Sequence, residues 1–342
     1  MKESETPISA INQSLNKFSQ GIKDESKIQR KNAIESMRKQ LAESFKANSS
    51  PTAIKFPFET VKTVLKSILN ALNDPMEKCR ELSCEIIKLV LDYSNSNTDF
   101  WDNDLTSMLI MTLNQRLGGK EVKETSEEIR LELVSLLYLL MESKSGQKHI
   151  FEAHFQELVS ILINSINDLY PEAKKKGCLC TKLLANKLAG SSFHMQSEQL
   201  VKPLLQNIVH QHSRVRKDII ECLCDVIQYG NNKSVTDAIS HLAQRLFDQA
   251  PQVRMAVIKL VGTWLLDLPD RYSFWSKLIP LLLTGFIDEA LEVKELTESL
   301  WWDVGIKYEK ENDEELKDKA SFLESDLSNY PAECKLKEFC DF

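Results

Sequence analysis

The chain has 342 residues, 42% of them hydrophobic, with only ten glycines, ten prolines and a formal net charge of −7. That is ample apolar material for a continuous core, and too few turn formers for a fold built on many tight turns. Charges of both signs are interspersed, which excludes a nucleic-acid or anionic-membrane surface spread over the whole protein.

Residues 1–7, Met-Lys-Glu-Ser-Glu-Thr-Pro, carry no apolar core or cleavage pattern and are expected to be a disordered N-terminus without a secretory signal. No apolar run approaches the ~20 residues of a membrane span. From there on, one pattern recurs: an acidic residue followed six positions later by a basic one. The pairs are Asp24 with Arg30, Asp74 with Arg80, Asp168 with Lys174, Asp248 with Arg254 and Asp288 with Lys294. Degenerate copies are Glu124 with Arg130 and His210 with Arg216. The basic members stand at 30, 80, 130, 174, 216, 254 and 294, so consecutive steps run from 38 to 50 residues. That spacing matches the forty-odd residues of HEAT and armadillo units.

Amphipathic segments flank each pair. Leu200-Val201-Lys202-Pro203-Leu204-Leu205 and Leu278-Ile279-Pro280-Leu281-Leu282-Leu283 precede pairs five and seven. After pairs five and six come Ile219, Ile220, Leu223, Val226 and Ile227, then Val257, Leu260, Val261, Trp264 and Leu265, all at helical spacing. The acidic residue thus closes helix A of a unit and the basic one opens helix B. An aspartate at that turn accepts from unpartnered N–H groups of helix B and complements its dipole. A basic residue at equivalent positions of stacked units bridges to the next unit's aspartate, giving a ladder. Val215, Val253 and Val293, each just before the basic residue, are expected to pack the turn onto the core.

The fold class predicted is all-α, an α-solenoid of about seven HEAT repeats at 8–44, 58–94, 98–143, 150–188, 193–229, 233–267 and 271–308. Loops such as Asn48-Ser49-Ser50-Pro51 and Gly230-Asn231-Asn232 separate them. Pro203 and Pro280 occupy corresponding places in two units and read as bends in helix A, the alternative being that each begins a helix. The segment 309–342 loses the pattern. Eight acids and three bases fall between Glu309 and Asp326, so a helix fraying into an acidic C-terminal tail is expected.

Motifs for chemistry are absent or have plainer readings. Gly177-Cys178-Leu179-Cys180 and Glu221-Cys222-Leu223-Cys224 place cysteines at i and i+2 of a helix, about 200° apart, so neither pair chelates an ion from one face. Their equivalent positions in successive units mark them as core, and all eight cysteines are expected to be reduced thiols. His210-Gln211-His212 lacks a third ligand at any telling spacing, and no metal site is assigned. There is no Gly-x-Ser-x-Gly, no Gly-x-Gly-x-x-Gly and no phosphate-binding Gly-x₄-Gly-Lys motif, so no catalytic residue, cofactor or small-molecule substrate is assigned. Lys174-Lys175-Lys176 reads as a solvated face, or as a contact for an acidic partner or a localisation signal. Tyr272, Phe274, Trp275, Trp301 and Trp302 are the candidates for a partner contact or an end cap, because adjacent tryptophans on a helix do not share one narrow buried stripe. The plainer reading makes them core of the seventh unit.

Wording specific to one family runs from Phe193 to Lys319. It includes Phe193-His194-Met195-Gln196-Ser197-Glu198, His241-Leu242-Ala243-Gln244-Arg245-Leu246-Phe247-Asp248, Pro251-Gln252-Val253-Arg254 and Asp270-Arg271-Tyr272-Ser273-Phe274. Lys277-Leu278-Ile279-Pro280, Ser299-Leu300-Trp301 and Asp303-Val304-Gly305 complete it. These stretches resemble the N-terminal half of the HEAT-repeat dynein axonemal assembly factor family, and units one to four resemble it in repeat layout. The resemblance implies a cytoplasmic, non-enzymatic factor that helps preassemble outer and inner axonemal dynein arms. It implies partners among dynein intermediate and heavy chains, other assembly factors and chaperones, with no nucleic acid or membrane. No binding residue carries over. The family's members are more than twice as long, so functions placed in their later repeats are expected to be missing here. The alternative reading is another HEAT scaffold, such as a nuclear transport or phosphatase regulatory adaptor.

Overall fold

The computed structural model describes residues 17–47, 58–94, 100–143, 148–188, 190 and 192–328. The disordered-terminus expectation for 1–7, the tail beyond 328, Cys334 and Cys340 lie outside them. Among the described residues the regular structure is helical throughout, with no strand. After a helical segment at residues 17–21 come α1 (Lys27–Ala47), α2 (Phe58–Ala71), α3 (Glu77–Ser94), α4 (Asn103–Leu117) and α5 (Glu127–Glu142). The short α6 (Lys148–Ala153) leads into α7 (Phe155–Ile166) and α8 (Pro171–Lys187). A second short helix, α9 (Ser192–Gln196), precedes α10 (Glu198–Asn207) and α11 (Ser213–Gln228). Then follow α12 (Val235–Arg245), α13 (Pro251–Asp267), α14 (Trp275–Leu283) and α15 (Leu291–Ser328), with 3₁₀ turns at Asn232–Ser234, Arg271–Phe274 and Thr284–Ile287.

Two compact units divide the chain, 1–235 and 236–342. In the first, the B helices stack in order, α1 on α3, α3 on α5, α5 on α8 and α8 on α11. The A helices form a parallel layer, α2 on α4, α4 on α7 and α7 on α10, and each packs on its own B helix. In the second, α13 packs on α14 and on α15. A helical layer on a helical layer is how a repeat too small to bury its own apolar stripe finds cover from its neighbours. The fold class is therefore the HEAT and armadillo kind of α-repeat array.

Within the first unit the inner B helices α3, α5 and α8 are buried on most of their circumference, because each has a B helix on both sides and an A helix below. In α13 Val253, Val257, Ile258, Leu260, Val261, Trp264 and Leu265 are all buried. Close stacking leaves no room for a side chain at Gly177 of α8, where a Cβ would stand 2.7 Å from Ser165 Cβ of α7. Pro203 and Pro280 lie inside α10 and α14, and neither begins its helix. Pro171 and Pro251 do open theirs, at α8 and α13, where the missing N–H has no partner to lose. Residues 309–328 continue α15.

Candidate functional site

The interhelical turns form one repeated polar motif. Each turn's acidic residue takes the backbone N–H two positions on. Asp24 accepts from Ser26, Asp74 from Met76, Asp168 from Tyr170 and Asp288 from Ala290, all at 2.8 Å. Asp248 takes the N–H of Ala250 at 3.0 Å and Glu124 that of Ser126 at 3.2 Å. His210 uses a ring nitrogen instead, with Nδ1 accepting from His212 at 3.1 Å.

The basic residue then ties two turns together. Arg30 Nε and Nη2 donate to Asp74 at 2.6 and 3.1 Å, while its Nη1 donates to the Asp24 and Glu25 carbonyls of its own turn. Arg80 holds Glu124 by two bonds of 2.7 and 2.8 Å, and Arg130 holds Asp168 by two of 2.7 and 2.9 Å. In the second unit Arg254 grips Asp288 with two bonds of 2.7 Å and its own turn through the Asp248 carbonyl. Only a guanidinium offers the planar fork that serves a carboxylate and two carbonyls at once. Arg216 donates to the His210 and Gln211 carbonyls, and Lys294 lies near enough to Asp288 to favour its charge.

Burial sharpens the electrostatics. Hydrogen bonds from Arg254, opposed by burial, hold the Asp288 carboxyl below its usual range. At Glu124 burial pushes the carboxyl up, but hydrogen bonds from Arg80, Arg116 and the Ser126 N–H prevail and hold it low. Arg116 reaches Glu124 at 2.6 Å and is a second cation at this rung. Nothing in the repeated spacing pointed to it, since it lies on helix A.

The fourth rung is built differently. Lys174 is 3% exposed and donates to the Ile166 carbonyl at 2.7 Å and to Asn207 Oδ1 at 2.5 Å. Burial lowers its pKa. Within the lysine cluster Lys174 is interior and so no part of a solvated face, whereas Lys175, paired with Glu172 at 3.0 Å, and Lys176, 4.2 Å from the Tyr138 ring centroid, stay partly exposed. A cleft of about 570 Å³ opens beside it, lined by Tyr170, Lys175, His212 and Arg214 among others.

Cys79, Cys84, Cys178, Cys180, Cys222 and Cys224 are buried free thiols. Burial raises the pKa of Cys84, Cys180 and Cys222, which keeps them protonated and inert. Among the described residues no cluster of three His, Cys, Asp or Glu side chains is arranged to hold a metal ion, and no helix is long and apolar enough to cross a membrane.

The aromatic candidates fall into two places on the second unit. Tyr272, Trp275 and Tyr308 form a triad with ring centroids 5.6 to 6.4 Å apart. Arg271 lies 4.8 Å from the Tyr272 ring centroid, and both Arg271 and Tyr272 donate to Glu311 of α15. Phe274 is buried. Trp301 packs edge-on to Phe286 and is 40% exposed, whereas Trp302 is 71% exposed.

Comparison with known proteins agrees with this picture. A family model described as "Dynein axonemal assembly factor 5-like, TPR repeats" matches residues 21–319. A Xenopus laevis protein named dynein axonemal assembly factor 5 is 42% identical over 311 residues, 91% of this chain and 35% of the relative. The human protein of that name is 40% identical over 325 residues, 94% of this chain and 37% of the relative. The chain thus spans little more than a third of the length of these curated relatives. Among solved structures, Cex1p superposes with a TM-score of 0.60 at 14% identity, covering 90% of this chain and 54% of that one. A designed armadillo repeat protein gives 0.50 at 16% identity, covering 69% and 98%. Such likenesses establish the fold alone, whereas the family model and the curated relatives establish kinship: the chain belongs to the dynein axonemal assembly factor 5-like family.

Proposed function

We propose that this chain is a non-enzymatic scaffold in the cytoplasmic preassembly of outer and inner axonemal dynein arms, holding dynein subunits, intermediate chains in particular. The observation that carries the reading is the family match across residues 21–319, on a fold made of stacked helix pairs. Such an array offers a long surface to extended or multidomain clients, with specificity set by scattered side chains. Partners on this reading are dynein intermediate and heavy chains, other assembly factors and chaperones, and no nucleic acid, membrane or small-molecule substrate is involved. The buried thiols and the carboxylates neutralised by arginine support a structural use of the chain's ionisable groups. Family membership favours this reading over a nuclear transport or phosphatase adaptor. Affinity purification of the tagged chain from ciliating cells tests it. Recovery of dynein intermediate or heavy chains is expected, and their absence with the intact chain recovered would overturn it.

A further inference from the structure

The ladder changes character inside the first unit, between its fourth and fifth turns. Its first three rungs match a guanidinium with a carboxylate: Arg30 with Asp74, Arg80 with Glu124 and Arg130 with Asp168. Lys174 instead holds the Ile166 carbonyl and Asn207, and the fifth turn carries His210 where the other turns carry an acid. Burial first, then Lys174, pushes the pKa of the His210 ring below its usual value, so the ring is neutral at pH 7. A negative charge is therefore missing at a place where cations gather.

The cleft of about 570 Å³ lies at these two turns, and its size falls within the ~300–1,000 Å³ of ordinary ligand sites. Its walls come from two adjacent helix pairs, α7 with α8 and α10 with α11, both inside the first unit and packed on each other. Lys175 lines it from α8, and His212 and Arg214 line it from the start of α11. Glu172 is the one acidic side chain among the described lining residues, and Lys175 already holds it at 3.0 Å. Arg214 is exposed and stands in no ion pair among the described residues. The first turn of α11 deepens the imbalance. It reads Ser213-Arg214-Val215-Arg216, with no acid, where α3, α5 and α8 each place a glutamate against the positive end of the helix dipole. Tyr170 and Pro171 give the cleft an apolar side.

We propose that this cleft binds an acidic segment of a protein partner, an extended stretch carrying several aspartates or glutamates. One carboxylate meets the Arg214 guanidinium, a second shares Lys175 with Glu172, and both supply the charge that His210 lacks. A nucleic acid is a poorer occupant, because the basic patch is two turns wide on a chain of net charge −7. The proposal rests on the scaffold reading above and gives it a partner chemistry.

The test is fluorescence anisotropy of the 342-residue chain with two labelled peptides of about ten residues. They share one sequence and differ in carrying four glutamates or four glutamines. The glutamate peptide is expected to bind at least about tenfold more tightly, and to weaken as salt screens the contact. Lys175→Glu with Arg214→Glu is expected to lose at least about tenfold in affinity for it. Lys66→Glu with Lys202→Glu makes the same change in net charge at exposed positions of α2 and α10 and is expected to bind as the parent does. Circular dichroism checks that both variants keep the parent's unfolding midpoint. Equal binding of the two peptides, no binding of either, or equal losses in the two variants overturns the proposal. Tighter binding of a single-stranded oligonucleotide of the same length than of the glutamate peptide would overturn it too. Dynein chains missing from the purification, with peptide binding intact, would sink the scaffold reading and leave the cleft's assignment standing.

Discussion

Glu124 shows how much one side chain settles in a stack of this kind. Its carboxylate is fully buried and accepts from Arg80, Arg116 and the Ser126 N–H, so it joins two turns and one helix end. Glu124→Gln leaves two guanidiniums without their anion. It should lower the urea unfolding free energy of the first unit by about 3–5 kcal/mol. Glu81→Gln, which breaks the half-exposed pair with Lys78, should change it by less than ~1 kcal/mol. Equal effects would show that the rungs are surface ornament. The pH dependence follows from the same groups. Unfolded carboxyls titrate near ~4, while Glu124 and Asp288 are held lower in the fold, so there the native state binds fewer protons than the unfolded one. Their stabilisation is complete above about pH 5 and is lost as pH falls through 4 and below. Thermal midpoints measured from pH 7 to 3 should fall in that window, and less so in Glu124→Gln. The acidic and basic members were legible in the sequence because charge at a fixed offset stands out against an apolar background. Arg116 and Asn207 were not, since their roles depend on where the end of helix A lands in space.

At the scale of the element, small residues and aromatics separate packing from display. Gly177→Ala puts a methyl 2.7 Å from Ser165 Cβ, and the overpacking between α7 and α8 should remove about 1–3 kcal/mol. Gly305→Ala adds a methyl that meets nothing within 4 Å on a helix, and should add about 0.5–1 kcal/mol of stability. Both are read from denaturant midpoints, and effects of the same sign would refute the packing. Trp264→Ala empties a fully buried site and should lose about 3–5 kcal/mol, where Trp302→Ala should be nearly neutral to folding. Helix B positions were legible because apolar residues recur around most of the turn. Lys174 was misread because local sequence shows three lysines alike, while burial singles out the one aimed at Ile166 and Asn207. The small helices α6 and α9 left no mark at a period of 3.6, being shorter than two turns.

For the whole molecule, family and fold are compatible with the proposed scaffold use: at most described turns the ionisable groups lock turn to turn. The acid-to-base offset at the turns could be read from sequence alone because most turns use the same pair of charges. Which aromatics stay exposed could not, because an exposed tryptophan and a core tryptophan look alike until the neighbouring helices are placed. The most direct test of the scaffold claim is crosslinking mass spectrometry on the complex isolated from ciliating cells, using a lysine-reactive reagent. The account predicts crosslinks from this chain's exposed lysines, such as Lys259 and Lys310, to dynein intermediate or heavy chains. A complex in which those lysines crosslink only to proteins unrelated to dynein or its assembly would contradict it.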